Sequence, residues 1–462
     1  MLRKIINYIP GVAAPMLINF LLTMLYAGYL EPGEYGVLNI YLTTILMVYS
    51  VSLNVFQTAC LRFYSLNLHK DEAEYVSSYL IANVITTVLI IPFSLIINVF
   101  LKFNWWIIVL AVGANGLFQF LCNYYRVINK AKKYNADRML SSLGGLVLLI
   151  VFGKIINPLT YVWPLIAVYG SYMLVACFEI ISIRKDFHVS AFSWQLIKES
   201  LKYGFPLIGV SILGYVVSSS DQYILLYYLG DAAVGNYSLG YRLVDALTIN
   251  FLTMILLVMT PELNRQHDKH GATKSQNVLK NMMSAAMWIM LPLSFAIIVY
   301  SSDIIHFVFP AYTDAAHIMQ LVILASIFHG ISMFTCKGLE LVKHPKFVFY
   351  GLFVAAIINV AYNFIFIPVY GIDASAHSSI LAYVVYNILL VAFTKRYYKI
   401  IFDWIHLAKT CIVTAVTVCC ALVMMHFFPI SSIGILIIEG IVCVAIYIGL
   451  SFVLKLTDAI IK

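Results

Sequence analysis

Polar side chains recur at helical spacing in an otherwise apolar stretch near residue 120. Asn115, Gln119 and Asn123 are each four residues apart. Arg126 follows three residues later, so all four lie on one face of a helix. Amide groups donate and accept hydrogen bonds and suit hydroxyl-rich molecules, whereas a guanidinium is always charged and binds phosphate bidentately. The stripe predicts a ligand with both neutral polar groups and an anionic group.

The same residue types recur in two other apolar segments. Asn54, Gln57 and Arg62 lie in one of them. Asn359 and Asn363 lie in the other, four residues apart and therefore on one helical face. These residues extend the predicted binding surface for a polar ligand to three segments.

Two carboxylates and one arginine also fall inside apolar segments. Asp221 lies nine residues before Gly230, and Asp245 lies nine residues after Asn236. At a rise of 1.5 Å per residue, both are about 13 Å from the turn between their helices. Arg242 is one helical turn from Asp245. We expect Arg242 to bind an anionic ligand and the two carboxylates to bind a coupling proton or Na+, or else all three to form a static ionic contact between helices.

The composition indicates a membrane protein. The chain of 462 residues is 62% hydrophobic and 11% charged, whereas about a quarter of the residues in soluble proteins are charged. A charge at the centre of a bilayer costs about 2.5 to 3.5 kcal/mol on insertion scales, so charged residues there require a role. The eight cysteines show no spacing typical of metal ligands.

The apolar runs predict an all-α polytopic membrane protein with about fourteen transmembrane helices. The first run is too long for a cleaved signal sequence and is expected to be an uncleaved helix. The predicted spans are 8–30, 37–60, 77–101, 105–127, 139–157, 159–182, 204–229, 237–260, 278–301, 316–336, 347–368, 374–394, 407–428 and 432–454.

The basic residues orient these helices. The chain has 29 Lys and Arg against 21 Asp and Glu, a net charge of +8. With the N-terminus in the cytoplasm, every basic residue except Lys102, Lys154 and Arg242 falls on the cytoplasmic side, as the positive-inside rule requires. The basic excess therefore indicates membrane topology and not nucleic-acid binding, and both termini are expected to be cytoplasmic.

The polar groups also have a purely structural interpretation. Amide side chains join helices to one another in membranes, so the stripe at 115–123 alternatively serves only helix packing. Arg62 and Arg126 alternatively anchor helix ends at the membrane surface. Glu179 falls near the inner end of its predicted helix and is expected to be solvated.

Two weak internal repeats predict that the helices form two pseudo-symmetric lobes. Residues 30–36 match 229–235 at an offset of 199, and the tyrosines at 169 and 172 match a second pair 214 residues later. The predicted division is 1–182 for an N-terminal six-helix lobe, 183–203 for a cytoplasmic linker, 204–400 for a C-terminal six-helix lobe and 401–462 for an appended helix pair.

Short motifs along the first twelve predicted helices add a resemblance to a known family. They are Glu34-Tyr-Gly36, Leu61-Arg-Phe-Tyr64, Gly204-Phe-Pro206, Asp221-Gln-Tyr-Ile-Leu225, Gly235-Asn-Tyr-Ser238, Pro261 and Tyr370-Gly-Ile-Asp-Ala374. With these motifs the chain resembles the polysaccharide transporters, or Wzx-type flippases, of the superfamily that also contains the multidrug and toxin extrusion (MATE) antiporters. It departs from the family pattern at Gln222 and at 373–375, which leaves the cargo open.

The resemblance implies a flippase that moves undecaprenyl-diphosphate-linked oligosaccharides across the bacterial cytoplasmic membrane by alternating access, for O-antigen lipopolysaccharide, capsule or a similar polymer. It implies as partners the lipid-linked oligosaccharide, membrane lipids, and a polymerase and other polysaccharide-assembly proteins. No enzymatic activity and no cofactor are expected, apart from coupling H+ or Na+. One alternative is a cation-coupled drug antiporter, which Arg62 and Arg126 disfavour. The other is a membrane-embedded glycan polymerase or acyltransferase, which the short outer loops disfavour.

Overall fold

A computed structural model describes residues 10–65, 72–101 and 104–456, and the regular structure in these ranges is helical, without a β-strand. Two short 3-10 helices, Arg184–Asp186 and Val189–Ala191, precede the eighth α-helix. The α-helices are α1 (Pro10–Tyr29), α2 (Pro32–Ser52), α3 (Asn54–Ser65), α4 (Glu72–Leu101), α5 (Trp105–Val127), α6 (Ala131–Ile155), α7 (Val162–Ser182), α8 (Trp194–Leu229), α9 (Asp231–Leu247), α10 (Ile249–Val308), α11 (Ala315–Leu341), α12 (Lys346–Tyr370), α13 (Ile372–Lys395), α14 (Trp404–Phe427) and α15 (Ile433–Val453).

These helices confirm the predicted all-α polytopic membrane fold. Eleven helical segments among the described residues are long and apolar enough to cross a membrane, or twelve when the bent α8 is counted. One of the eleven covers residues 231–308 and contains two predicted spans. Residues 1–9 and 457–462, which carry the predicted cytoplasmic termini and the start of the first span, lie outside the described residues.

The structure divides some predicted spans that hydropathy treats as continuous. The span 37–60 is divided at Leu53, between α2 and α3, and the span 237–260 is divided at Thr248, between α9 and α10. Helix α10 is kinked at Gly271, whose φ of 76° lies in the left-handed region that glycine adopts without strain, and this kink lies between the predicted spans 237–260 and 278–301. Hydropathy averages the apolarity of a segment and carries no information on backbone dihedrals, so it could not predict the division at Thr248, whose φ of −121° and ψ of −70° are not helical.

Residue types near the helix ends explain where several helices begin. Pro32 occupies the first position of α2, where its missing N–H costs no hydrogen bond. Asp403 caps α14 by accepting a hydrogen bond from the His406 backbone N–H at 3.0 Å. Ser432 caps α15 in the same way. Within the apolar runs, a helix satisfies every backbone polar group in the absence of water.

The chain divides into two compact units, residues 1–219 and 220–462. In the first unit α5 packs against α2, α3, α4 and α7, and α6 packs against α1 and α7. Aromatic rings fill part of this core, with the ring centroids of Tyr79 and Phe120 5.9 Å apart. Helix α5 therefore meets neighbouring helices on several sides, which brings its polar face into the interior of the unit.

The second unit is built around α11, which packs against α9, α10 and α13, while α12 packs against α13. Helices α14 and α15 pack against α10. Trp288 of α10 donates from Nε1 to Ser451 Oγ at 3.0 Å, and the Tyr447 hydroxyl donates to the Trp288 carbonyl at 2.6 Å. The boundary between the units falls inside α8, whose residues from 204 onward the predicted division assigns to the second lobe, and that division stays a prediction.

Candidate functional site

In the first unit, Gln57 joins α3 to α5. Its side chain is buried and donates from Nε2 to the Gly116 carbonyl at 3.1 Å. The Gln57 Oε1 accepts a hydrogen bond from Asn123 Nδ2 at 3.2 Å. A Cβ atom at position 116 would lie 2.6 Å from Asn83 Oδ1, so a larger residue there would require the Asn83 side chain to move. Gln57 and Asn123 thus make the helix-joining contacts of the structural interpretation.

Gln119, on the same face of α5, faces α6. Its Nε2 lies 3.5 Å from Asn115 Oδ1, at the limit of a hydrogen bond. Its Oε1 accepts a hydrogen bond from Arg138 Nη2 of α6 at 3.2 Å. Gln119 and Arg138 are both half-buried. This part of the stripe therefore combines amide groups with a guanidinium, which is the chemistry predicted for a polar and anionic ligand.

Arg138 is a residue that the sequence interpretation missed. It lies directly before the predicted span 139–157 and belongs to a basic run that satisfies the positive-inside rule. That rule accounts for the charge without indicating what the side chain contacts. The signal that distinguishes Arg138 is its place seven residues inside α6, about 10 Å from the start of that helix.

The two arginines that the sequence singled out in this unit lie at helix ends. Arg62 and Arg126 occupy the last turns of α3 and α5, and both side chains are exposed. The Arg62 guanidinium lies 4.5 Å from the ring centroid of Tyr203, a cation–π contact. Asn54 is half-buried at the first position of α3. These positions fit surface anchors as well as a first contact for an anionic ligand.

Glu179 was expected to be solvated, and this expectation is wrong. Its side chain is buried near the end of α7, where Lys133 Nζ lies 2.6 Å from Oε2 and the Tyr125 hydroxyl donates to the same oxygen. Asp137 is buried nearby, and its Oδ2 has no hydrogen-bond partner in the described part of the chain. The expectation used only the distance of Glu179 from the helix end, which predicts depth in the membrane. It did not take into account that side chains of neighbouring helices cover Glu179.

In the second unit, Asp221 of α8 is completely buried. Its Oδ2 accepts a hydrogen bond from the Tyr237 hydroxyl, and its Oδ1 accepts one from the Gln222 backbone N–H at 2.9 Å. Sequence reasoning quoted Tyr237 only as part of a family motif. The sequence does place the two residues at similar depth, because Tyr237 lies seven residues after Gly230 and Asp221 lies nine residues before it.

Asn359 and Asn363 of α12 lie in contact with α8 and α13. Asn359 Oδ1 accepts hydrogen bonds from Ser220 Oγ at 3.0 Å and Asn363 Nδ2 at 3.1 Å. Asn359 Nδ2 donates to Ser378 Oγ at 3.2 Å. Both asparagines are fully buried. Among the described residues, Asn363 Oδ1 and Ser379 Oγ are buried without a hydrogen-bond partner, so oxygen atoms remain available in this contact.

Arg242 and Asp245 are half-buried on α9. Asp245 lies eight residues beyond Tyr237, or about 12 Å along the helix axis. The structure thus gives Asp221 a tyrosine partner that the sequence did not predict. No group of three or more His, Cys, Asp or Glu within the described ranges could hold a metal ion, so a cation here would need amide and hydroxyl oxygens as ligands.

Comparison with known proteins identifies the family. The family model described as polysaccharide biosynthesis protein matches residues 1–267, more than half of the chain. The chain belongs to this polysaccharide biosynthesis protein family. The resemblance drawn from the short motifs is therefore confirmed. A second family model, MatE, matches residues 206–365, in agreement with the predicted relation to the MATE antiporters.

Two curated relatives match part of the chain. The probable low-salt glycan biosynthesis flippase Agl15 of Haloferax volcanii is 24% identical over 195 residues, which cover 42% of this chain and 41% of the relative. The uncharacterized membrane protein MJ1068 of Methanocaldococcus jannaschii is 26% identical over 248 residues, covering 49% of this chain and 47% of the relative. The chain spans less than half the length of either relative.

Solved structures share the fold over most of the chain. The lipid II flippase MurJ in an inward closed conformation aligns with a TM-score of 0.74 at 15% identity, covering 99% of this chain and 100% of that one. An inward-facing MATE family multidrug resistance transporter aligns with a TM-score of 0.67 at 12% identity, covering 84% and 98%. The chain is thus a multi-pass membrane protein with the fold of these transporters, and none of the functions named for these proteins is enzymatic.

Proposed function

We propose that this protein is a flippase that moves a lipid-linked oligosaccharide across the membrane by alternating access. The observation that carries the proposal is the polar face of α5, where Asn115 and the half-buried Gln119 precede the exposed Arg126 in the last turn. This face offers amides for sugar hydroxyls and a guanidinium for phosphate. Family membership and the partial match to a named glycan flippase support the same function.

An apolar groove in the second unit suits the lipid part of such a cargo. It has a volume of about 820 Å³ and lies among α10, α14 and α15, with Trp288, Pro292, Val418, Ile441 and Tyr447 in its lining. A polyprenyl chain presents only hydrocarbon, which an apolar groove accommodates without leaving polar groups unpaired. The groove would give α14 and α15 a role in holding a lipid-linked substrate.

Asp221 and Asp245 are the proposed sites for a coupling H+ or Na+. Asp221 already has a hydroxyl donor in Tyr237, and Asn363 and Ser379 contribute buried oxygens without partners among the described residues. Such oxygens accept a cation or hydrogen-bond a protonated carboxyl group. Arg242 is proposed to meet the anionic part of the cargo, and Asn359 and Asn363 to contact it once α8, α12 and α13 separate.

The test of function uses a deletion strain supplied with two different oligosaccharide pathways. The chain should restore surface polysaccharide and leave tolerance to cationic drugs unchanged. The second candidate, a cation-coupled drug antiporter, is favoured by the MatE match over residues 206–365 and predicts the reverse. Drug tolerance without polysaccharide would overturn the flippase proposal.

The proposed location is the bacterial cytoplasmic membrane, with both termini inside and a polymerase and other assembly proteins as partners. Cysteines introduced at Lys269 and Ser431, in a background without native cysteines, should react with membrane-impermeant thiol reagents only from the inside and only from the outside, respectively. The expectation rests on the asymmetry of the basic residues. Labelling from the opposite sides would invert the topology.

A further inference from the structure

The guanidinium of Arg138 is incompletely satisfied. Nη2 donates to Gln119 Oε1 at 3.2 Å. Nε is buried and has no hydrogen-bond acceptor among the described residues. The ring centroid of Tyr134 lies 5.6 Å from the guanidinium carbon, so this neighbour is neutral as well. The edge of the guanidinium formed by Nε and Nη2 therefore has a single acceptor, the neutral Gln119 amide oxygen, and Nε has none among the described residues.

No carboxylate neutralises Arg138 in the described part of the chain, because no ion pair of this residue lies within 4.0 Å. Asp137, next to it on α6, points about 100° away around the helix. The nearby Glu179 forms its ion pair with Lys133. An arginine inside a membrane helix with only amide and aromatic neighbours leaves a positive charge available to a ligand.

We propose that Arg138 is the oxyanion-binding residue of the first unit, and that Gln119 holds its guanidinium in place while the site is empty. The ligand is a phosphate of a lipid diphosphate, or a carboxylate of an acidic sugar, bound through two oxygens to Nε and Nη2. The inference rests on the proposed function and adds to it the residue that binds the anionic group.

The geometry of the fork supports this assignment. Two oxygens of one phosphate match the spacing of Nε and Nη2, so a single ligand group satisfies both donors. A neutral amide oxygen is a weaker acceptor than an oxyanion, so the ligand displaces Gln119 from the guanidinium. The displaced Gln119 amide is then free to bind a hydroxyl of the attached sugar.

Binding by the purified full-length protein in lipid nanodiscs tests the proposal, with farnesyl diphosphate and a glucuronate-terminated oligosaccharide as separate probes. Arg138→Gln should weaken binding of at least one probe by about tenfold or more, since hydrogen bonds to charged groups are the strong ones. Loss for farnesyl diphosphate identifies phosphate as the ligand group, and loss for the oligosaccharide identifies the carboxylate. The matched control is Lys132→Gln, at an exposed cation near the start of the same helix, which should bind both probes as the wild type does.

A second variant keeps the test decisive if Arg138→Gln folds poorly. Gln119→Glu retains the arginine but places a carboxylate where the ligand binds, so it should lose binding to the same extent. Unchanged binding of both probes by Arg138→Gln or by Gln119→Glu would overturn the inference.

Export in cells separates this inference from the proposed function. If the wild type exports polysaccharide while Arg138→Gln binds both probes normally, the assignment of Arg138 is wrong and the flippase proposal stands. If the wild type exports none but binds a probe through Arg138, the oxyanion site stands and the flippase proposal fails.

Discussion

The polar networks of the two units differ in charge and in exposure. In the first unit the Arg138 guanidinium lies against the Gln119 amide, and both side chains are half-buried. In the second unit the Asp221 carboxylate lies against the Tyr237 hydroxyl, and both side chains are fully buried. A partly open cationic site suits a large anionic ligand, whereas a closed carboxylate suits a small cation. The contrast supports the proposals of an oxyanion site at Arg138 in the first unit and of ion coupling at Asp221 in the second.

The amide groups differ in the same way. Asn359 and Asn363 of the second unit are 0% exposed and hydrogen-bonded across three helices. Gln119 of the first unit keeps part of its surface accessible. A sugar could reach Gln119 without helix separation, but it could reach the asparagines only after α8, α12 and α13 move apart. Substrate contact with these two asparagines therefore requires a change of conformation.

The largest effect is expected at Asp221. If this carboxylate couples an ion to transport, Asp221→Asn should abolish polysaccharide export while membrane abundance stays near normal. Arg242→Ala should also abolish export if that residue binds the anionic cargo. Surface polysaccharide divided by protein level is the measurement. Rescue of export by exchanging the charges of Asp221 and Arg242 would instead show a static ionic contact and remove the coupling role.

A smaller effect is expected for Arg126→Ala, which removes an exposed guanidinium at the end of α5. Transport of every diphosphate-linked cargo should fall by about tenfold, because phosphate is common to all of them and a hydrogen bond to a charged group contributes about 1.5 to 3 kcal/mol. Export through the two oligosaccharide pathways measures this loss. Lys130→Ala, at an exposed cation just beyond the same helix, serves as the control. Equal losses of transport in both variants would show that Arg126 acts only as a surface anchor.

Gln119→Ala should change selectivity without stopping transport. The loss of one hydrogen bond costs about 0.5 to 1.5 kcal/mol, which shifts the ratio of export between two oligosaccharides by a few-fold. Competition between the two pathways in one strain measures this ratio. Normal export of both cargoes by the Gln119 and Arg126 variants alike would identify the polar face of α5 as a helix-packing surface.

The smallest effect is expected at Asp403, a carboxylate outside both networks. Its pKa lies below the usual value because the His406 backbone N–H and Lys280 both favour the charged form. A lowered pKa means that this carboxylate stabilises the folded protein at neutral pH, and that the contribution is lost as the pH falls through the folded-state pKa. Asp403→Ala should cost about 0.5 to 2 kcal/mol as the loss of a helix cap, in thermal unfolding at pH 7. Export should remain normal. If export is lost, removal of a carboxylate outside the proposed coupling site is enough to stop transport, and the loss in Asp221→Asn is then no evidence for ion coupling.

The sequence predicted the helices better than their contacts. Apolar runs of bilayer length locate most spans because lipid enforces helical structure. The break at Thr248 depends on local backbone dihedrals and was not predicted. Spacing along α5 placed Gln119 on a polar face, yet it could not indicate that Arg138 of another helix would meet it.

The same limit explains the errors on charge. Asp137 and Arg138 are neighbours in sequence but face different surroundings, because adjacent helical residues point about 100° apart. Glu179 is buried because α5 and α6 supply Tyr125 and Lys133 beside it. Which helices oppose one another is a property of tertiary packing, and one sequence without related sequences contains little information on it.

The ion pair between Lys133 and Glu179 has a consequence for biogenesis. Helices α6 and α7 are joined by the short segment 156–161 at one end, and this ion pair ties their other ends together. A growing chain releases α6 first, with Lys133 in its first turn and Glu179 not yet made. The contact that holds the two helices together at this end therefore forms only after α7 has been synthesised.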